Sequence, residues 1–321
     1  MSSGSIFRDG RYRNNFEHER HDVSDALRMF WRARREYSKF APVKFVRAHN
    51  DPAWLQANRS EPTLTWVGHA TFLLQLVGVN LITDPVFSKR TSPLAMLGPE
   101  RLAPLGLALR NLPGMQIALI SHNHYDHLDE MSVRQLARAH PQLSFVVPLG
   151  LKAWFARRGI TRVVELDWWQ SAEVHGVNVT AVPAQHFSGR GVHDRNATLW
   201  CGYVAEAAGK KVYFAGDTGY SEDFKIIGSK FSPIDLALLP IGAYEPRWFM
   251  KAMHVNPEEA VQMFEDLGAR QAAAMHWGTF RLTIEPLDEP PLRLRAALEK
   301  RQIEAGRFFV MQHGETRKLR F

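Results

Sequence analysis

From residue 63 to the end of the chain, short apolar runs alternate with turns, and helix-like segments stand between several of them. Runs such as LTWVGH, QIALIS, VNVTAV and KKVYFAG have the length and the β-branched or aromatic content of strands. The segment NPEEAVQMFEDLG is typical of a helix, because Asn256 can cap it, Pro257 suits its first turn and Gly268 can end it. Strands and helices in mixed order predict an α/β protein whose layers form one domain.

Histidine and aspartate recur where the predicted strands end. Loops beyond the carboxyl ends of strands are held by a rigid sheet, and ligand sites of α/β proteins gather there. Five predicted strands deliver such residues: Asp84, His122, His124, Asp126, His127, His186, Asp217 and His276. We therefore expect these side chains to meet at one site.

The densest part of this set is the segment SHNHYDHLDE, with three histidines and two aspartates between positions 122 and 130. Crowded imidazoles and carboxylates are costly to desolvate unless something pairs with them, so a cation is the simplest explanation. One tetrahedral zinc needs only three or four ligands. The seven candidates from His122 to His276 suit two metals that share one carboxylate.

The order His-x-His-x-Asp-His, followed by a later His, Asp and His, resembles the metallo-β-lactamase superfamily. Longer strings, including WVGHAT, TDPVFS, FAGDTGY and HWGTF, resemble the phospholipase D enzymes of that superfamily that hydrolyse N-acylphosphatidylethanolamine. The similarity covers residues 62–315 in order and without a large gap. It implies a four-layer αββα sandwich, with two mixed sheets packed face to face and helices outside.

The resemblance also implies a ligand set for two zinc ions. One zinc would be held by His122, His124 and His186 and the other by Asp126, His127 and His276, with Asp217 bridging both. The residue types leave iron and manganese open as alternatives to zinc.

Further roles follow from the resemblance. Tyr125 and His254 match positions that contact the N-acylethanolamine part of the substrate, and Asp84 and His69 match positions that orient the ligands. Asp126, Asp217 and His254 are the expected catalytic residues. Ordinary alternatives are turn chemistry for Asp84, a buried structural role for His69, and packing for Tyr125 and His254.

The expected reaction is the hydrolysis of N-acylphosphatidylethanolamine, or of a related glycerophospholipid, to N-acylethanolamine and phosphatidic acid by a hydroxide that two zinc ions activate. The alternatives are a sugar-phosphate lactonase and a non-catalytic membrane-surface protein with a structural metal. Nucleic acid is not an expected partner, because only 58 residues lie between Asp217 and His276 and leave little room for the inserted domain of the superfamily's nucleases. The family implies homodimers.

Residues 1–60 differ from the rest in being polar and arginine-rich, and we expect them to form an extension before a hydrolase domain at 61–321. Within them, residues 22–40 predict a basic amphipathic helix, which either lies on an anionic membrane or docks on the domain. The net charge of +7 favours anionic partners. A single cysteine and the lack of a signal-peptide pattern predict a cytoplasmic protein, peripheral at the inner membrane face.

Overall fold

The computed structural model describes residues 4–18, 23–37, 43–76, 78–93, 97–191 and 193–321. The strands in these ranges are β1 (Ile6–Arg8), β2 (Arg11–Arg13), β3 (Thr63–Gly68), β4 (Thr71–Leu76), β5 (Val79–Thr83), β6 (Ile117–Leu119), β7 (Ser144–Pro148), β8 (Val163–Leu166), β9 (Ser171–Val174), β10 (Val177–Val182), β11 (Gly202–Ala207), β12 (Lys210–Phe214), β13 (Ile234–Pro240), β14 (Ala269–Met275), β15 (Phe308–Phe309) and β16 (Thr316–Lys318). The helices are α1 (Val23–Tyr37), α2 (Pro52–Ala57), α3 (Glu130–Ala139), α4 (Lys152–Ala156), α5 (Asp223–Phe231), α6 (Arg247–Met250), α7 (Pro257–Asp266) and α8 (Glu289–Lys300), with a 3₁₀ turn at Leu109–Asn111.

Fourteen of the strands form two mixed sheets of seven strands each. The first sheet has the order β16-β3-β4-β5-β6-β7-β8 and is parallel from β5 to β8. The second has the order β15-β14-β13-β12-β11-β10-β9 and is parallel from β15 to β12. In both sheets the parallel strands send their carboxyl ends to one edge, where their loops can form a site.

Successive side chains along a strand of the first sheet pack against different layers, which shows that both faces of this sheet are covered. Phe72 and Leu74 pack with residues of the second sheet, whereas Leu73 between them packs with α3 and α4. Successive side chains of a strand point to opposite faces, so this pattern places helices on one side and a sheet on the other. Helices α5, α7 and α8 cover the second sheet with buried residues such as Phe264 and Leu298. The predicted αββα sandwich is confirmed.

Local signals in the sequence match several elements closely. The strands β4 and β5 meet at Gly78, which has a φ of 82° that favours glycine. Helix α7 begins with the predicted Asn256 cap as a full capping box, in which the Glu259 amide donates to Asn256 and the Glu259 carboxylate accepts from the Asn256 amide.

The predicted helix at 22–40 corresponds to α1, which the structure describes from Val23 to Tyr37. Its proposed cap Asp22 and the last predicted residues lie outside the described residues, as do the side chains of Val23, Leu27 and Phe30. Trp31 is 65% exposed. Among the helices described, none combines the length and the apolar character needed to cross a bilayer.

Candidate metal centre

The candidate ligands lie at the edge where the parallel strands of both sheets end. The first sheet supplies residues 122–127, which follow β6. The second sheet supplies His186 after β10, Asp217 after β12 and His276 directly after β14. The structure therefore brings together all seven residues predicted to bind metal, although they span 155 positions from His122 to His276.

Three histidines form a first cluster. Nε2 of His122 lies 2.7 Å from Nδ1 of His124, and Nε2 of His186 lies 3.3 Å from the same atom. His122 and His186 are buried, and His124 is half-buried. Because three ring nitrogens converge on one point, the rings present three lone-pair positions to a common partner.

A second cluster contains Asp126, His127 and His276. Oδ2 of Asp126 lies 3.5 Å from Nε2 of His127 and 3.6 Å from Nε2 of His276. His69 completes the group, because its Nε2 donates to Oδ2 of Asp126 at 3.0 Å.

The carboxylate of Asp217 lies between the two clusters. Its Oδ2 atom is 3.1 Å from Nε2 of His127 and 3.9 Å from Nε2 of His186, and its Oδ1 atom is 3.0 Å from Nε2 of His276. Of the seven residues, only Asp217 lies within ion-pair distance of residues in both clusters. This is the position that a shared ligand would occupy.

Several buried polar atoms here lack a hydrogen-bond partner, and this tests whether the residues fit a metal. Nε2 of His127, Nε2 of His276 and Oδ1 of Asp217 are all buried without one. Such atoms are rare in folded proteins, because each costs about 1–3 kcal/mol when left unpaired. Imidazole and carboxylate groups are common ligands of zinc and other divalent cations, so the donor set fits a metal.

The pKa shifts differ among the candidate ligands. Burial, together with the neighbouring imidazoles, holds the pKa of His122 well below its usual range, and burial does the same for His186. Burial would raise the pKa of Asp217, but His127, His276 and His254 together hold it well below its usual range. Burial would lower the pKa of His276, but Asp217 and Asp126 raise it to about 9. His276 is therefore protonated at neutral pH, and metal binding would release this proton.

Hydrogen bonds to the ring nitrogens that do not face the clusters orient the candidate ligands. Nδ1 of His127 donates to Oδ2 of Asp84 at 2.6 Å, and Nδ1 of His186 donates to the Met253 carbonyl at 2.9 Å. These bonds leave the Nε2 lone pairs directed at the clusters. The structure thus places Asp84 and His69 where the sequence predicts orienting residues.

Three residues of the centre have a left-handed backbone: His69 (φ 56°), Asp84 (φ 29°) and His276 (φ 59°). Non-glycine residues in this region cost of the order of 1–3 kcal/mol each and cluster at functional sites. The fold maintains this strain with buried hydrogen bonds, including the His276 amide to the His69 carbonyl at 3.0 Å.

The two predicted substrate-binding residues lie beside the clusters, His254 near His186 and Asp217, and Tyr125 next to His124 in the chain. Nδ1 of His254 is 4.0 Å from Oδ2 of Asp217, and burial lowers the pKa of His254 to about 4. The Tyr125 hydroxyl donates to the Arg190 carbonyl at 3.0 Å, and the Arg190 guanidinium lies 3.9 Å from the centre of the Tyr125 ring.

Sequence reasoning missed three contributors to this centre. Arg190 binds the carbonyls of Asn123 and Leu128, so it secures both ends of the ligand loop. Ser121 accepts from Nδ1 of His122, and its position directly before the histidine motif was the available signal. Asn14 contacts the backbone of His186 from 172 positions away, and no local pattern marks it.

Comparison with known proteins identifies the family of the chain. Residues 79–277 match the family described as the beta-lactamase superfamily domain. The chain is 42% identical over 263 residues to N-acyl-phosphatidylethanolamine-hydrolyzing phospholipase D 1 of Caenorhabditis elegans, a match that covers 78% of this chain and 74% of that protein.

Two further relatives broaden the comparison. The chain is 38% identical over 242 residues to the mitochondrial N-acyl-phosphatidylethanolamine-hydrolyzing phospholipase D of Saccharomyces cerevisiae, covering 73% of this chain and about half (51%) of the yeast protein. Among solved structures, the metallo hydrolase Igni18 of Ignicoccus hospitalis superposes with a TM-score of 0.62 at 23% identity, covering 82% of this chain and 100% of that one. The sequence-based family assignment is confirmed: the chain belongs to the metallo-β-lactamase superfamily and is a metal-dependent hydrolase.

Proposed function

We propose that the chain is a phospholipase D-type phosphodiesterase that hydrolyses N-acylphosphatidylethanolamine or a related glycerophospholipid. The observation that carries this proposal is the 42% identity to the C. elegans phospholipase over 78% of the chain. The pair of clusters that share Asp217 supports it, since such an arrangement suits displacement at a phosphodiester.

The cofactor in this proposal is a pair of zinc ions, with iron or manganese as substitutes. His122, His124 and His186 would hold one ion, Asp126, His127 and His276 would hold the other, and Asp217 would contact both. When bound, two cations would neutralise phosphodiester charge and would lower the pKa of a water so that it could attack at neutral pH.

The chain's own groups then divide the work of the reaction. One water adds to phosphorus, the bond from phosphorus to the ethanolamine oxygen breaks, and the products are N-acylethanolamine and phosphatidic acid. Asp217 and Asp126 are the carboxylates beside the reacting centre, and we assign them to orient the water, one proton of which passes in the net reaction to the leaving ethanolamine oxygen. His69 donates to Asp126 and holds it for this role.

His254 is assigned to the leaving-group oxygen as a hydrogen-bond donor or general acid. Its ring centre lies 5.1 Å from that of His186 and 5.5 Å from that of His276. Its backbone is secured, because its amide donates to the Met250 carbonyl and its carbonyl accepts from Arg247. Tyr125, in the loop after β6, is assigned to the N-acylethanolamine part of the substrate.

A lipid substrate also requires contact with a membrane, and we propose that α1 provides it. Trp31 is 65% exposed, and Arg28, Arg32 and Arg35 are exposed on the same helix. The Arg28 guanidinium lies 5.5 Å from the ring of Trp248, so α1 lies beside the loop that carries His254. An aromatic residue among arginines is typical of a helix at an anionic surface.

Metal analysis joined to a product assay tests the function. The substrates are N-acylphosphatidylethanolamine, phosphatidylcholine, a bis-aryl phosphate and a lactone. We expect about two metal ions per chain and release of N-acylethanolamine. Turnover of the lactone alone would favour the sugar-phosphate lactonase alternative, and full metal content without any turnover would indicate a structural metal.

A further inference from the structure

Among the described residues, no strand pairs with the backbone of His186. Strand β10 ends at Val182, and His186 enters the long connection to β11. Its buried amide and carbonyl are instead both bound by the side chain of Asn14. The His186 N–H donates to Oδ1 of Asn14 at 3.1 Å, and Nδ2 of Asn14 donates to the His186 carbonyl at 2.9 Å.

The His186 backbone determines the orientation of the Asn14 side-chain amide, because its N–H can only donate and its carbonyl can only accept. Nε1 of Trp200 donates to the Ala184 carbonyl at 2.8 Å and also lies 3.0 Å from Oδ1 of Asn14. Oδ1 therefore faces the His186 N–H and Trp200, and Nδ2 faces the His186 carbonyl. One side chain thus takes the place of a neighbouring strand for a single residue.

The hairpin of β1 and β2 delivers Asn14 to this position. The Tyr12 amide donates to the Asn196 carbonyl at 2.9 Å, and Arg11 donates to the His193 carbonyl at 2.7 Å. Asn15, the next residue, donates instead to Oδ1 of Asp223 at 2.8 Å. The hairpin therefore has contacts of its own, and the contact with His186 belongs to Asn14.

We propose that Asn14 is a positioning residue for the first cluster, so that the N-terminal extension completes the metal centre. Asn14 fixes the main chain of His186, and the Met253 carbonyl fixes its Nδ1 atom. Together they direct Nε2 of His186 at His124. This inference rests on the metal centre and not on the identity of the substrate.

Cobalt binding by the metal-depleted, full-length protein tests the inference. We compare Asn14→Ala and Asn14→Asp with Asn15→Ala, a matched control that removes a hydrogen bond from the same hairpin. For Asn14→Ala we expect the dissociation constant of Co²⁺ to rise about 10–100-fold, as for other residues that orient metal ligands, with a changed visible absorption spectrum. Asn15→Ala should keep the wild-type affinity and spectrum.

Two outcomes would overturn the inference. The first is a folded Asn14→Ala protein with wild-type Co²⁺ affinity and spectrum. The second is an equal loss of affinity in Asn15→Ala, which would show that general docking of the hairpin is responsible. If Asn14→Ala does not fold, the nearly isosteric Asn14→Asp decides, because it loses the donor to His186 and places a carboxylate oxygen against that carbonyl. Wild-type affinity in Asn14→Asp would then refute the role.

Discussion

Nδ1 of His127 lies 2.6 Å from Oδ2 of Asp84, and both side chains are fully buried. Asp84 also accepts hydrogen bonds from the amide and the hydroxyl of Ser121. With three donors directed at it, the carboxylate holds the proton of His127 on Nδ1 and leaves Nε2 for the second cluster.

The substitution Asp84→Asn should therefore weaken metal binding about 10–100-fold, because its amide group brings donor hydrogens to a site that already contains three donors. Competition with a chromogenic chelator measures the affinity. Asp235→Asn is the control, since Asp235 pairs with Arg270 away from the centre. Equal affinities of wild type and Asp84→Asn would show that Asp84 is only a turn residue.

Asp217→Asn should reduce both metal content and turnover, because this carboxylate approaches ligands of both clusters. The loss should exceed the roughly 100-fold upper range for an orienting residue. Metal analysis and product release measure it. Normal turnover with a full metal content would contradict the shared-ligand assignment.

His254→Ala should lower kcat about 10²–10⁴-fold while the metal content stays full, because His254 is assigned to the leaving group and not to either cluster. His175→Asn is the control, since His175 lies at the β9–β10 turn with an exposed hydrogen bond to Ser144. Unchanged turnover in His254→Ala would remove the residue from the mechanism.

His313 should make the protein less stable as the pH falls. Its ring stacks on Trp66, and burial, followed by the charge of Arg101, lowers its pKa to about 3. An unfolded histidine binds a proton below a pH of about 6.5, so the unfolded state binds more protons in the window from about 6.5 down to about 3. Stability is then present above this window and falls with decreasing pH, by about 2 kcal/mol between pH 7 and pH 5.

Urea unfolding of wild type and His313→Phe at pH 7 and pH 5 measures this contribution. The phenyl ring retains the stacking on Trp66 but cannot titrate. The variant should lose about 2 kcal/mol less unfolding free energy than wild type between the two pH values. Parallel losses in the two proteins would contradict the assignment.

Binding to anionic vesicles should depend on α1. Trp31→Ala and Arg32→Ala should each weaken sedimentation with vesicles, by about fivefold for the arginine, and added salt should weaken it further. Leu292→Ala is the control, because Leu292 is 60% exposed on α8. If the wild-type protein does not bind anionic vesicles, or if salt does not weaken its binding, the proposed membrane role of α1 is wrong.

The convergence of the candidate ligands could be predicted from the sequence because its signals are local. His122, His124, Asp126 and His127 lie in one short loop, and His276 directly follows an apolar strand. The caps of α7 are local in the same way, since they lie within a few residues of the helix ends. The resemblance to the superfamily then supplied the pairing of ligands into two groups.

The division into two sheets could not be read from such signals. Strand β16 pairs with β3 across most of the chain, with Thr316 opposite Thr65. Strands β8 and β9 are only four residues long and lie at sheet edges, where the apolar pattern is weak. Asn14 was missed for a related reason, because its partner His186 is set by tertiary docking and not by spacing.

The centre draws one group of ligands from the first sheet and another from the second, with Asp217 of the second sheet next to His127 of the first. A bound cation would therefore link the two sheets of the sandwich. Ions that bind only the folded chain add about 4 kcal/mol of stability at a thousandfold excess over the dissociation constant. Chelation would remove this contribution, so the free energy of unfolding should fall although the core shared by the two sheets remains.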